Sequence, residues 1–330
     1  MRADLKVFHN TIYTVMTETQ DQAIQKFNQA TSGGLVLTSS TINKGDFDGE
    51  VSWAKIANLV RRRNAYADTA LTAVQLAQLV SYSVKVAAGT PPVVIDPGML
   101  KWIKASQAEA GAVIGKQLAE DNLADMLNTG IAAYVAAVGQ NTKMMLDVSA
   151  LTSGHKYMTL QNLNSGAALF GDRSQDIRCW LMHSKSLYDI YSTALDNTNQ
   201  LFSFGTVKVM SDGFGRPLVI TDSPNLMVAA GSDPSTDPAK YFTLGLNNGA
   251  VIVEQNNDEF TDNTETKNGN ENIQATYQAE WTYNLGIRGH TWDITSGGKS
   301  PTTAALATGT NWDKTCTYDK DGPGILIKSL

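Results

Sequence analysis

Residues 273–287 read IQATYQAEWTYNLGI, and the order of their side chains decides the architecture. Ile273, Ala275, Tyr277, Ala279, Trp281, Tyr283, Leu285 and Ile287 alternate with Gln274, Thr276, Gln278, Glu280, Thr282, Asn284 and Gly286. Successive side chains of a strand point to opposite faces, so this period of two predicts a long strand with one apolar and one polar face. The apolar face needs cover, and the segment suited to supply it lies upstream. Asp96-Pro97 offers an N-cap with proline in the first turn. Behind it, residues 99–138 run as MLKWIKASQAEAGAVIGKQLAEDNLADMLNTGIAAYVAAV, with no proline. Leu100, Ile103, Ile114, Leu118, Leu127, Ile131, Tyr134 and Val138 are spaced for one helical stripe. Gly111, Gly115 and Gly130 each weaken a helix interior by about 1 kcal/mol relative to Ala. The expectation is one long helix, or two in tandem, laid over the sheet.

Outward from this pair, residues 1–37 are mixed in character, with a helix predicted around residues 21–30 that stops at Gly33-Gly34: an arm followed by a loop. Residues 39–95 open with the turn-rich NKGDFDGE, carry Trp53 and the cluster Arg61-Arg62-Arg63, and contain the helix-compatible DTALTAVQLAQLV. Tyr82, Val84 and Val86 then alternate as in a strand, before Thr90-Pro91-Pro92 ends it. Beyond the long helix, DIRCWLMH reads as a strand and SKSLYDIYSTALDN as a short helix with Ser184 as N-cap. TVKVM, the turn SDGFGR and PLVITDSP follow, so residues 145–240 read as an α+β subdomain. NNDEFTDNTETKNGNEN is polar enough for an exposed loop tip.

At 330 residues the chain can bury a sizeable core as one elaborate unit or two joined ones. Charged residues make up 18%, against roughly 25% in an average soluble domain. A self-associating surface accounts for that, and so does one rich in Ser, Thr, Asn and Gln. The net charge of −6 argues against gripping nucleic acid regardless of sequence, which needs a Lys/Arg excess. The opening MRADLKVFHN has charges where a signal peptide needs an apolar run, and no stretch is long and apolar enough for a membrane span, so the protein is read as cytosolic when made. Cys179 and Cys316 are read as inert core thiols.

Motifs for chemistry fail one by one. His9, His155, His183 and His290 lack the spacing of a metal site, and no serine sits in a nucleophile elbow. Gly298-Lys299-Ser300 resembles the end of a phosphate loop, but Asp293 stands where its first glycine belongs. Gly213-Phe214-Gly215 lacks a third glycine and runs into Arg216-Pro217, so it reads as a tight turn. No catalytic, cofactor-binding or metal residue is assigned. Arg61, Arg62 and Arg63 can serve a subunit contact, a solvated face or nucleic acid; with Trp53 they are the candidate inter-subunit contacts, being residue types in which interfaces concentrate binding energy.

The order of these elements resembles the tailed-phage major capsid family typified by phage Hong Kong 97. GRPLVITDSP at residues 215–224 is similar to strand-turn wording in the A-domains of that family. GIRGHTWDITSGGKSPTTAALATGTNWDK resembles the C-terminal end of phage coat proteins of about this length. The resemblance implies an α+β fold with an N-terminal arm (1–41), an E-loop (42–95), a P-domain spine helix (96–144), an A-domain (145–240) and a return to the P-domain (241–330). It implies a non-enzymatic, cofactor-free subunit of an icosahedral shell built from hexamers and pentamers. Such a shell encloses double-stranded DNA, bears a portal and sometimes scaffolding or decoration proteins, belongs to the virion, and is assembled in the host cytoplasm without a membrane. The family's cross-linking Lys and Asn match no residues here, and with no long scaffold-like segment in the sequence both a separate scaffold and a removed segment stay open. A phage tail-tube protein and an encapsulin-like compartment shell are the alternatives; the long helix ahead of the amphipathic strand counts against the first.

Overall fold

The computed structural model describes residues 2–40, 45–53, 60–66, 68, 70–73, 76, 78–96, 98, 106–151, 155–196, 212, 214–233, 237–268, 271–272 and 274–330. Its first half holds helix α1 (Arg2–Ala30), strands β1 (Leu35–Ser40), β2 (Phe47–Trp53), β3 (Gln78–Gly89) and β4 (Val93–Ile95), helix α2 (Gln107–Gly139) and strand β5 (Met145–Asp147). Helix α3 (Leu160–Ala168), strand β6 (Ile177–Met182), helix α4 (Ser184–Asp196) and strands β7 (Leu218–Ile220), β8 (Met227–Val228) and β9 (Lys240–Asn247) follow. The chain closes with β10 (Val251–Lys267), β11 (Gln274–Ile287), β12 (His290–Trp292), the one-turn helices α5 (Ile294–Gly297) and α6 (Thr303–Leu306), β13 (Trp312–Lys314) and β14 (Gly324–Ser329).

Two six-stranded sheets and the two-stranded ribbon of β12 and β13 organise these strands. The first has the order β1-β10-β11-β3-β2, with β4 also on β11. The second has the order β5-β14-β9-β6-β7, with β8 on β9, so the last strand of the chain is an interior strand of it. In the first sheet β11 does what its alternation predicts: Ala275, Tyr277, Ala279, Trp281, Tyr283, Leu285 and Ile287 are all buried. Its hairpin partner β10 takes in most of the stretch expected to be a loop tip, because Thr261 to Lys267 pair with Glu280 back to Gln274 across a register shift. Polar composition misled there, since a strand exposed on one side tolerates Thr, Asp and Asn on that side.

The cover over β11 comes from two helices. Tyr283 donates its hydroxyl to Asp125 Oδ2 of α2 at 2.9 Å, with Thr129 Oγ1 at 3.1 Å. Burial, then the Asp125 charge, pushes this phenol well above its usual range, so it stays a donor. The other half of the strand lies under α1: Phe8 meets the Tyr277 ring edge-on at 6.3 Å, and Tyr13 packs on Phe260, which stacks on Trp281. Helix α1 is therefore 29 residues long where residues 21–30 were expected, and it is docked on the body through buried Phe8, Ile12, Met16 and Ile24. The glycines of α2 explain the docking. A Cβ on Gly111 would stand 3.0 Å from Phe8 O, and one on Gly115 2.7 Å from Ile12 O, so their absence lets the two backbones approach. The expected start of the long helix at Pro97 lies outside the described residues.

Helix α2 also reaches the second sheet. The Tyr134 hydroxyl lies 3.1 Å from both Gly245 O of β9 and Ile325 O of β14. At Gly324, φ is +149° and a Cβ would fall 2.0 Å from Gly245 O, so only glycine fits beside this peg. β6 fills the core with Cys179, Trp180, Leu181 and Met182. Burial pushes the Cys179 thiol up to about 12, as befits an inert side chain, whereas Cys316 is half-buried and not a core residue. Helix α4 forms where predicted, but Ser184 is its first residue and not its cap. The end is closed by His183 Nδ1, which accepts from Lys185 N, and by Asp222, which accepts from Ser184 N. The turn of residues 212–216 closes around Asp212: its carboxylate accepts from Trp180 Nε1 and from the Phe214 and Arg216 amides, and Gly215 has φ +83°.

Candidate subunit interface

The first sheet does not end where its helical cover ends. At its edge β2 and β3 pair antiparallel from Phe47↔Val84 through Val51↔Val80 to Trp53↔Gln78. The root of this hairpin is fixed to the body. Val84 and Val86 are in the core, Phe47 and Tyr82 pack against it, and Tyr82 N donates to Thr291 Oγ1 at 2.8 Å. Lys299 Nζ reaches Asp46 at 2.8 Å, and this hydrogen bond and charge hold the Asp46 carboxyl below its usual value.

Beyond the root the hairpin carries apolar residues into solvent. Val51 and Val80, opposite one another, are both exposed, as are Leu71 and Leu76, while Val60 is 93% and Tyr66 100% exposed. Single exposed apolar residues are ordinary, but this number on one projecting arm marks a surface that another surface covers. The expected helix within DTALTAVQLAQLV is not formed at Asp68, at residues 70–73 or at Leu76, and residues 78–80 already belong to β3. At residues 78–80 local propensity yields to the pairing with β2.

The candidate contact residues all fall on this arm. Trp53 is the last residue of β2, and its side chain lies outside what the structure describes. Arg61, Arg62 and Arg63 are exposed, with no ion-pair partner among the described residues. They are neighbours in sequence, and none of the three lines the groove on the first sheet.

The other chemical candidates have structural roles. His9 Nδ1 pairs with Asp262 at 2.6 Å, tying α1 to β10; His183 caps α4; His290 is buried; His155 is exposed. Asp293 is the N-cap of α5, accepting from the Thr295 and Ser296 amides, and Gly298 closes that turn with φ +69°. Among the described residues no three His, Cys, Asp or Glu side chains are grouped to hold a metal, and no helix is long and apolar enough to cross a membrane.

The Gp13-like family model, described as major capsid protein 13-like, matches residues 4–326. The chain belongs to this family of major capsid proteins. It is thus a capsid head-shell protein, and the tail-tube and compartment alternatives fall away. Solved structures similar to this capsid protein include the Cyanophage Pam1 capsid asymmetric unit, at 11% identity over 77% of this chain and 84% of that one, TM-score 0.47. The acidic stable capsid of Helicobacter pylori bacteriophage KHP30 is similar at 8% identity over 90% and 88%, TM-score 0.49. The capsid of Ralstonia phage GP4 is similar at 8% identity over 78% and 83%, TM-score 0.45. Among curated proteins, none matches the capsid protein.

Sequence reading missed what stands beside the arm: the polar face of the first sheet, where Asp48, Glu50 and Glu254 collect. Their signal was available, since Asp48 and Glu50 are two apart in a strand and so share a face.

Proposed function

We propose that this capsid protein is the shell subunit of a tailed, double-stranded DNA phage with the Hong Kong 97-like layout. In this reading residues 1–41 are the N-terminal arm, 42–95 the E-loop, 96–144 the spine, 145–240 the A-domain and 241–330 the return to the P-domain. The β2–β3 arm carries the reading: an apolar and cationic arm anchored at its root, with exposed Val51, Val60, Tyr66, Leu71 and Leu76, is of no use to a lone subunit and useful to an assembly. Trp53, Arg61, Arg62 and Arg63 contact the next subunit, closing hexamers and pentamers. The subunit acts without a cofactor and turns over no substrate. Portal, scaffolding or decoration proteins are further partners, assembly takes place in the host cytoplasm, and the DNA is enclosed without being read, because a net-acidic chain repels it. Sedimentation and negative-stain microscopy of the protein with its co-expressed structural partners test this. Closed shells with five- and six-fold clusters are expected; a stable monomer that turns over a small molecule would overturn it.

A further inference from the structure

Part of the outer face of the first sheet, away from α1 and α2, is left open among the described residues. An open groove of about 580 Å³ lies along it, walled by the root of β2 on one side and by β10 on the other. Asp48 and Glu50 enter it from β2 and Glu254 from β10. No lysine or arginine among the described residues pairs with any of the three. Lys85, on the same face, is committed to Glu259 at 2.6 Å, Asp321 at the rim is held by Arg173, and Arg288 is turned to Asn248 O at 2.7 Å. Burial, then the nearby Asp48 charge, raises the Glu254 carboxyl above its usual value, as expected of a carboxylate beside a like charge without a counterion.

Resting on the reading of the arm as an inter-subunit contact, we propose that this acidic groove receives Arg61, Arg62 and Arg63 from the arm of a second copy. The complementarity is of charge and of shape. Three carboxylates without a cationic partner among the described residues face an open channel, and three adjacent exposed arginines, likewise without an ion-pair partner among the described residues, stand on the arm of the same kind of chain. Arg suits carboxylates because its planar fork binds both oxygens. Donor and acceptor are different patches of one molecule, so the contact is head to tail and closes into a ring when the rotation allows, which a five- or six-fold cluster requires.

A charge swap tests the assignment. The groove variant Asp48→Arg/Glu50→Arg alters two exposed side chains, the arm variant is Arg61→Glu/Arg62→Glu/Arg63→Glu, and the third protein carries all five changes. Particle yield by sedimentation, DNA content and melting temperature are measured on each. Like charges brought together at a contact should lower yield at least about tenfold in either partial variant, at unchanged melting temperature, and the five-fold variant should recover most of it. A groove variant that assembles normally while the arm variant fails overturns the groove but leaves the arm reading standing. Failure of the five-fold variant to recover also overturns the groove. Normal assembly of both partial variants overturns the groove and the arm reading together. Normal shells that lose only DNA from the arm variant assign the arginines to nucleic acid and overturn the proposal. If the groove variant melts early, Asp48→Asn/Glu50→Gln replaces it; a smaller yield loss is expected, and wild-type yield overturns the proposal.

Discussion

The layer of β10 and β11 beneath α1 and α2 and the arm of β2 and β3 belong to one sheet, yet they place their large side chains in opposite surroundings. In the layer, Tyr277, Trp281 and Tyr283 are buried against Phe8, Phe260 and Asp125. On the arm, Val51, Val60, Tyr66, Leu71 and Leu76 face solvent. Hydrophobic burial scales with area removed from water, so the layer collects its stabilisation within the subunit, and the arm can collect its own only from another chain. The same residue types thus serve folding in one place and assembly in the other, and substitutions separate the two uses.

The largest effect on the subunit is expected at Trp281. Removing a buried Trp side chain costs about 3–5 kcal/mol, and Trp281→Asp adds an unpaired charge in an apolar layer. That variant should not fold, whereas Gln278→Asp, on the exposed face of the same strand, should be mild. Circular dichroism and denaturant melts measure it. Equal stability of the two variants would remove the contrast between the faces of β11.

A smaller effect tests how α1 is held. Gly115→Ala places a methyl 2.7 Å from Ile12 O, backbone that can yield only by moving the helix. A loss of about 1–3 kcal/mol is expected from this overpacking. Gly130→Ala meets only side chains, those of Val251 and Val253 at 3.4 Å and Leu35 at 3.9 Å, and should be neutral or gain up to about 1 kcal/mol from helix propensity. If both variants melt alike, α1 is not seated on these glycines.

That pair also shows what was legible in the sequence. The strict alternation in β11 and the apolar string of β6 gave both strands and the buried face, because a period of two survives without knowledge of neighbours. Helix α1 was foreshortened because Gln20 interrupts the row Phe8, Ile12, Met16, Ile24, although steps of four were there to read. Gly111 and Gly115 looked like flaws in α2 because the helix that fills their space is about a hundred residues away in sequence. The second sheet was partly legible: β14 enters it from the far end of the chain, a non-local pairing that no local pattern announces. The arm was legible as an excursion too long for an ordinary connection. The acids opposite it were not, since Glu254 joins Asp48 and Glu50 only through the sheet.

At the seam of the two regions stands His290, on the ribbon beside the arm's root. Burial, then the charge of Lys314, lowers its pKa, against a raising hydrogen bond to Arg288 O. Its folded value is thus below the unfolded value of about 6.5. As pH falls through that value the unfolded chain takes up the proton first, so stability is lost on acidification and is fully present above it. His290→Gln should flatten the fall in melting temperature between pH 7 and pH 5 relative to the wild-type protein. Parallel curves would mean that another group sets the acid response.

The smallest effect on the subunit, and the largest on the particle, is expected from the arm. Arg62 is exposed and has no ion-pair partner among the described residues, so Arg62→Glu should leave the melting temperature where it is, within the roughly 0.5 kcal/mol typical of surface changes. Trp53→Ala truncates the last residue of an edge strand paired with β3 and should behave the same way. Both should depress particle yield, because an interface concentrates its energy in a few Trp and Arg side chains and truncating one leaves its partner groups unmatched. The two readouts belong to the same preparations: melting for the subunit, sedimentation for the shell. Loss of both together would show that the arm packs on its own subunit, and the contrast between layer and arm would collapse. Loss of particles alone would place the arm's share of stability in the neighbour.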